Sequence, residues 1–429
     1  MKNFAEYVDS IGGLVDSRRS ISPSEWREKL AVCLDGEPNR VLRERVPPRE
    51  LRQQGAYFTG AKLARRVATT ATCGSEIAPV YHDPACGAGD LLLAIARRLR
   101  RQRSFAATLK AWGAQLSGCD LSPDFVRLAK ARLTLLAAQR CRVGPPLDSA
   151  ASDDVFPNIV VDNSMDSSQG WSSGDVIVMN PPFGYASAPA DCTWATGRVN
   201  TAALFVDRAI HEVSDGVRIV ALLPDVLRSG SRYVAWREAM QESGCVTRET
   251  PLGLFDPWTD VDVYLFRFEK KTCEHSSCEA RPARKPTFGV GRRFLVHVGP
   301  VVPHRHAEEG PAVRYIDARS LPAWSECADL QETRQFSGRV FDPPFVTVRR
   351  TSRPDGGRRA VATLVLGTDP VAVENHLLVL LPKDGEVQTC RKLVHRLRSK
   401  RTDAWLDSRL RCRHLTTGAL AEMPWWRKP

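Results

Sequence analysis

The chain has 429 residues, 43% apolar and 26% charged, with a net charge of +12 at pH 7. That is ordinary globular composition, long enough for two or three domains, and no low-complexity segment dominates it. No stretch approaches the ~18 uninterrupted apolar residues of a membrane span, and Met1–Ser20 has acidic residues without a long apolar run. A soluble, cytoplasmic protein, neither exported nor anchored in a membrane, is expected.

The 12 cysteines lack the regular spacing of a disulfide framework, and most, such as Cys119 and Cys245, lie in apolar or strand-like contexts. A reducing cytosol suits them. Cys273-Glu274-His275-Ser276-Ser277-Cys278 is a local cluster of metal-ligand type, but it lacks a second ligand pair at recognisable spacing, so no metal is expected. The excess positive charge is localised. Residues 271–429 hold 28 Lys plus Arg against 17 Asp plus Glu, whereas residues 1–270 hold 33 against 32. A near-neutral body joined to a basic end portion is the pattern of a core carrying a polyanion-binding module.

Residues 1–50 form an amphipathic helical segment, with a helix over Ser24–Cys33 for which Ser22 or Ser24 is a cap. Gln54-Gly55-Ala56-Tyr57-Phe58-Thr59-Gly60 is a glycine-bounded aromatic loop, followed by a helix over Ala61–Thr70. Next, a short strand from Val80 runs into Asp83-Pro84-Ala85-Cys86-Gly87-Ala88-Gly89, and a long helix starts at Leu91 and runs toward Leu109. A strand, a glycine loop and a helix N-terminus together let backbone approach a ligand closely. The third glycine of the dinucleotide fingerprint is missing, so the loop indicates a nucleoside-type cofactor rather than NAD.

A second strand, Ala114–Cys119, ends at Asp120, ahead of a Ser-Pro-Asp helix start at Ser122–Asp124. An acid at the end of the second strand is where α/β nucleotide folds accept ribose hydroxyls. Asn158–Asn163 and Asp175–Asn180 supply the third and fourth strands, and Val217–Leu223, Cys245–Arg248 and Val261–Phe268 three more. This order predicts a doubly wound α/β sheet of about seven strands.

Asp175-Val176-Ile177-Val178-Met179 is an apolar, β-branched run that enters Asn180-Pro181-Pro182-Phe183. The prolines forbid both helix and ladder pairing, so the strand ends at Asn180, at the carboxyl edge of the sheet where ligands sit. Gly184–Asn200, with Trp194, is long enough to be a lid beside that site. A linker follows over residues 271–293, then a mixed α+β basic domain over residues 294–429. Its strands are Phe345–Val348, Ala360–Leu366 and His376–Leu381, and a helical stretch covers Cys390–Leu410.

Asn180-Pro181-Pro182-Phe183, with Asp83–Gly89 and Gly55–Thr59 before it, resembles the N6-adenine DNA methyltransferases of restriction-modification systems, over most of residues 51–270. The resemblance implies a Rossmann-like methyltransferase domain over residues 51–270 with S-adenosylmethionine as cofactor. It implies Asp83, Ala85, Cys86, Gly87 and Gly89 around the methionine part, Asp120 on the ribose with Leu121 beside it, Asp162 or its neighbour Asn163 on the cofactor adenine, and Tyr57, Phe58 and Thr59 in the loop that closes over it. Asp90 with Leu91 departs from the small residue and Phe usual there.

The chemistry follows from the residues. An adenine N6 amine is a poor nucleophile because its lone pair is delocalised into the ring. The Asn180 side-chain oxygen and the Pro181 carbonyl can each accept one N6 hydrogen, with Pro182 adding no competing donor. Phe183 can stack on a base extruded from double-stranded DNA, and neither a metal nor a strongly shifted general base is required. Asn180 also borders the cofactor.

The C-terminal region is similar to target-recognition domains fused to adenine methyltransferases, around Arg349-Arg350-Thr351, Glu374-Asn375-His376 and His414-Leu415-Thr416-Thr417-Gly418. Arg349, Arg350, Arg353, Arg358 and Arg359 surround a Pro-Asp-Gly-Gly turn, a basic loop that could enter a DNA groove. Partners expected with this organisation are double-stranded DNA and a cognate restriction nuclease or specificity subunit. The competing readings are methylation of an RNA or protein glutamine amino group, and a DNA-binding subunit without catalysis.

Overall fold

A computed structural model describes residues 2–15, 22–47, 49–51, 58–74, 78–144, 147, 155–166, 171, 174–256, 259, 261–270, 289–352, 357–411 and 413–426. Tyr57, the Cys273–Cys278 cluster, residues 271–288 of the expected linker and Arg353 lie outside the described residues. The chain divides into two compact units, Met1–Arg228 with Val234–Ala280, and Ser229–Tyr233 with Arg281–Pro429.

Unit 1 begins with three helices, α1 (Lys2–Val15), α2 (Pro23–Cys33) and α3 (Glu37–Arg45). Ser22 is the cap of α2, accepting the Glu25 N–H, and Pro23 occupies the first turn where its missing N–H costs nothing. After α4 (Ala61–Ala71) come β1 (Tyr81–Asp83), α5 (Asp90–Ala96), α6 (Phe105–Gln115), β2 (Leu116–Asp120), α7 (Pro123–Cys141), β3 (Ile159–Val161) and β4 (Val176–Met179). The ribbon β5 (Tyr185–Ser187) and β6 (Arg198–Asn200) leads into α8 (Thr201–Glu212), and β7 (Arg218–Pro224), β8 (Gly244–Leu254) and β9 (Asp262–Lys270) complete the sheet.

The seven strands lie in the order β3-β2-β1-β4-β7-β9-β8. The pairs from β3 to β7 are parallel, and β9 runs antiparallel to both its neighbours. This is the expected doubly wound α/β sheet. The chain order reverses between β1 and β4, so their carboxyl ends flank the crevice where such sheets bind ligands. All four residues of β4 are buried, which explains their uniformly apolar character.

One expectation is corrected here. The single helix from Leu91 toward Leu109 is two helices, α5 and α6, joined by an arginine-rich turn. Ser104 breaks the run, because its hydroxyl accepts the Ala107 N–H at 3.1 Å and starts a new helix. The Trp112 indole N–H then bonds the Arg100 carbonyl at 3.2 Å and fixes the turn.

Unit 2 contains a five-stranded sheet, formed by Phe294–Val298, Leu377–Pro382, Phe345–Arg349, Ala362–Val365 and Glu326–Cys327 in spatial order, and a smaller three-stranded sheet. The helical stretch expected over Cys390–Leu410 is two helices, α11 (Val387–Leu397) and α12 (Lys400–Arg409), counted after α9 (Asp225–Ser229) and α10 (Val234–Glu242). Ser399 separates them by capping the second, accepting the Thr402 N–H at 3.2 Å. Among the described residues no helix is long and apolar enough to cross a membrane.

Candidate active site

A cavity of about 500 Å³ opens at the carboxyl edge of the sheet in unit 1. Each of the first four strands contributes its end. Pro84, Ala85 and Gly87 follow β1, and Asp120, Leu121 and Ser122 follow or end β2. Asp162, Asn163 and Ser164 follow β3, and Asn180 and Pro182 follow β4. Phe58, Phe125 and Phe205 supply aromatic walls.

The glycine loop is built for close approach. Gly87 and Gly89 both adopt positive φ, at 51° and 80°, where residues with a Cβ are strained. A Cβ on Gly87 would press on the Phe58 ring at 3.3 Å, and one on Gly89 would meet the Ala129 Cβ at 2.9 Å. Gly89 therefore seats the loop on α7, whereas Gly87 faces the cavity. Asp120 ties the loop to the second strand, accepting N–H groups from Gly87 and Ser122, both at 2.9 Å. Burial pushes the Asp120 carboxyl above the usual range, against the backbone N–H bonds that favour its charge.

Asp83 ends β1 and is almost entirely buried. Burial pushes its pKa up to about 8, the Ala85 N–H opposing that shift and the carboxylates of Asp120 and Asp90 adding to it. Beside it a small extension of the site, bordered by Thr59, Asp83, Cys86, Asp90 and Asn180, connects the loop to the residue after β4. Burial also raises the Cys86 thiol, which stays a small apolar group.

Asn180 is held by the loop ahead of α4. Its amide Nδ2 donates to Thr59 Oγ1 at 2.8 Å, and this bond fixes the plane of the amide and so the direction of Oδ1. Phe183 packs edge-on against Phe255, ring centroids 5.4 Å apart, and is half-buried. Neither Phe183 nor Pro181 lines the main cavity.

The departure at Asp90 has a structural partner. Asp90 Oδ1 lies 2.8 Å from Nη1 of Arg132 on α7, a residue only 1% exposed. Arg132 also donates to the Cys33 carbonyl at the end of α2 and to the Ala88 carbonyl in the glycine loop. An acid replaces the usual small residue because a buried cation stands against it.

Sequence reasoning missed Phe125, Phe205, Ser164 and the role of Phe4. Phe4, on α1, packs perpendicular to Phe125 at 5.8 Å, and Phe125 meets Phe58 at 4.9 Å, so the N-terminal helix braces two walls of the cavity. Phe125 alone left a sequence signal, since it follows Ser122-Pro123-Asp124 in the first turn of α7.

In unit 2 the basic loop differs from expectation. Arg359 is fully buried, its Nε 2.8 Å from Asp407 Oδ1 and its Nη atoms on Ser352 and Leu410. It lies in the core instead of on the surface of the basic loop as expected, because its guanidinium joins the loop to α12. Arg358 pairs with Asp403 at 3.0 Å, and Arg349 and Arg350 bond the carbonyls of Leu321 and Asn375.

The family model for N-6 DNA Methylase matches residues 42–279, more than half of the chain. The chain belongs to the N-6 DNA methylase family. It is thereby a DNA adenine methyltransferase, and S-adenosylmethionine is the general cofactor of that family. No curated protein sequence matches it. Among solved structures, the type IIL restriction-modification enzyme MmeI in complex with DNA aligns over 98% of this chain and 79% of its own, at 10% identity and a TM-score of 0.56. That is a likeness of fold. A putative class I S-adenosylmethionine-dependent methyltransferase from Listeria monocytogenes aligns at 14% identity over 65% of this chain and 90% of its own, with a TM-score of 0.39. The modification subunit of a putative type I restriction enzyme from Vibrio vulnificus aligns at 17% identity over 67% of this chain, with a TM-score of 0.39, and this chain spans 55% of its length.

Proposed function

We propose that this N-6 DNA methylase transfers a methyl group from S-adenosylmethionine to the N6 amine of an adenine flipped out of double-stranded DNA. The observation that carries the reading is the Thr59-fixed Asn180 amide, at the end of β4, opening on the same cavity as Asp120 and Asp162.

The residues suit the cofactor. The cavity volume is in the range of small-molecule sites, and the positive-φ glycine cradle leaves room that a Cβ would fill. Asp120 would accept the ribose hydroxyls, and Asp162 or Asn163 would bond the adenine amine between the walls of Phe58 and Phe125. Asp83 and the Ala85–Gly89 backbone would hold the methionine part, with Leu121 bordering the ligand. When bound, the cofactor supplies a methyl group on a positively charged sulfur.

Asn180 Oδ1 and the Pro181 carbonyl accept the two N6 hydrogens, which draws the nitrogen toward tetrahedral geometry and aims its lone pair. The prolines keep this acceptor pair rigid because neither can rotate about φ. Phe183, steadied by Phe255, stacks on the extruded base.

Residues 294–429 are proposed as the target-recognition domain, with Arg349, Arg350 and Arg358 as phosphate or base contacts. A cognate nuclease or specificity subunit is the proposed partner. The test is transfer of labelled methyl from S-adenosylmethionine to double-stranded DNA by the purified protein, followed by nucleoside analysis. N6-methyladenine is the expected product, and label found only in RNA or protein acceptors would overturn the reading.

A further inference from the structure

Unit 1 has a second cleft, of about 510 Å³, which shares no lining residue with the main cofactor cavity and meets only its small extension, at Thr59 and Asp90. Its sides come from the end of α2, from α4, from α5 and from the turn after α5, with Arg132 of α7 also lining it. Ala31, Leu34, Ala61, Ala64 and Leu93 make an apolar surface. Four guanidinium groups border it, from Arg65, Arg97, Arg98 and Arg132, against two carboxylates, Asp35 and Asp90.

These charges are unevenly matched. Asp90 is taken up by Arg132, which also holds two backbone carbonyls. Arg97 bonds the Leu34 carbonyl through one Nη and Arg98 bonds Thr72 through Nε, so each keeps further N–H donors. Arg65 makes no hydrogen bond or ion pair among the described residues. Arg97 is held below the usual arginine range by burial, and the like charges of Arg132 and Arg65 add to that, with Asp35 opposing them.

Arginines gathered around a concave surface with too few acids repel one another, and an anion placed between them relieves that repulsion. Guanidinium forks match the oxygens of phosphate, and several together match a ligand of more than one charge better than a single carboxylate. The volume is that of a nucleotide-sized site.

We propose that this cleft is a second ligand site, which binds a phosphate-bearing anion through Arg65, Arg97 and Arg98. The phosphate can come from a free polyphosphate or nucleotide, or from a DNA backbone, and the two sources are separable.

The full-length protein would be titrated by calorimetry with inorganic pyrophosphate, without cofactor, and separately with a short DNA duplex, each for the native chain and for Arg65→Glu. Among the described residues Arg65 has no hydrogen bond or ion pair to lose, so this variant is expected to keep the fold, and an unchanged melting curve and unchanged S-adenosylmethionine affinity verify that. Saturable pyrophosphate binding that weakens about tenfold or more in Arg65→Glu, as expected for loss of a charged hydrogen-bonding group, establishes the site for a free anion. No saturable pyrophosphate binding, but a comparable loss of DNA affinity, places a backbone phosphate there. Arg97→Gln should weaken the same ligand. If Arg65→Glu changes neither affinity, the cleft is not an anion site. Because the pyrophosphate titration needs neither methyl transfer nor target sequence, its failure is distinct from failure of the proposed methylation.

Discussion

Thr59 and Asn180 lie 121 residues apart in sequence and are joined by a hydrogen bond of 2.8 Å, from the Asn180 amide to the threonine hydroxyl. If that bond sets the direction of the catalytic oxygen, Thr59→Val should reduce kcat and leave cofactor affinity nearly unchanged. A neutral buried hydrogen bond contributes about 1 kcal/mol, so a loss of roughly fivefold in kcat is expected, with Thr59→Ser near normal. Asn180→Ala should cost about a hundredfold or more, as removal of a preorganised polar group does elsewhere. Single-turnover kinetics beside cofactor titrations separate these effects, and a Thr59→Val enzyme with unchanged kcat would refute the orienting role.

Asp83 gives a pH dependence whose sign can be worked out. In the folded protein its carboxyl stays protonated up to about pH 8. The same carboxyl in an unfolded chain loses its proton near pH 4, so across that interval the folded state binds more protons and its stability falls as pH rises. A cationic sulfur placed nearby favours the ionised carboxylate. Cofactor affinity should therefore increase from about pH 7 to pH 9 with release of a proton, while the demethylated product, whose sulfur is neutral, should show a flatter profile. Calorimetry in buffers of different ionisation enthalpy counts the proton. Asp83→Asn should abolish the difference between the two ligands.

The parts legible in the sequence were those where one residue type does a job few others can. Two prolines after an apolar run can only end a strand, and glycines between a strand and a helix mark positive φ. Those features mark the ends of β1 and β4 and so the position of Asn180, and an acid at the end of the next strand marks Asp120. What stayed hidden depended on distant contacts: Asp90 looks anomalous until Arg132 is seen against it, and Phe4 looks like any core residue of an amphipathic helix. Arg359 shows the opposite failure. Local charge density marks an arginine-rich loop, but only packing reveals which guanidinium is turned inward. Flanking residues of good helix propensity mask the caps at Ser104 and Ser399, so the helix breaks there leave little local signal.

The seat of the glycine loop on α7 predicts a stability effect separable from ligand contact. Gly89 has φ of 80°, and a Cβ there would lie 2.9 Å from the Ala129 Cβ. Gly89→Ala should destabilise unit 1 by about 2 kcal/mol or more, from left-handed backbone strain plus the displaced contact, seen as a lowered unfolding temperature without ligand. Ala129→Gly on the same background should recover part of the loss by opening space, whereas recovery would be absent if the strain were purely in the backbone.

Arg358 and Arg359 are adjacent in sequence, and the structure gives them opposite expectations. Arg359 is buried against Asp407, with Ser352 and Leu410 taking its other donors. Arg359→Met leaves the Asp407 carboxylate in the core without its cation and should cost about 3–5 kcal/mol of stability in unit 2. Arg359→Met with Asp407→Leu should restore much of it, because a neutral pair of similar volume removes the stranded charge. Arg358 is exposed and pairs with Asp403, so Arg358→Ala should change stability by less than about 1 kcal/mol. If Arg358 reaches a phosphate, the same substitution should weaken binding to all duplexes alike and reduce the slope of log affinity against log salt by about one. Thermal unfolding and DNA binding at several salt concentrations, run on the same variants, check both. An Arg359→Met protein with a native melting curve and selectively weakened DNA binding would reverse the assignment and return Arg359 to the DNA surface.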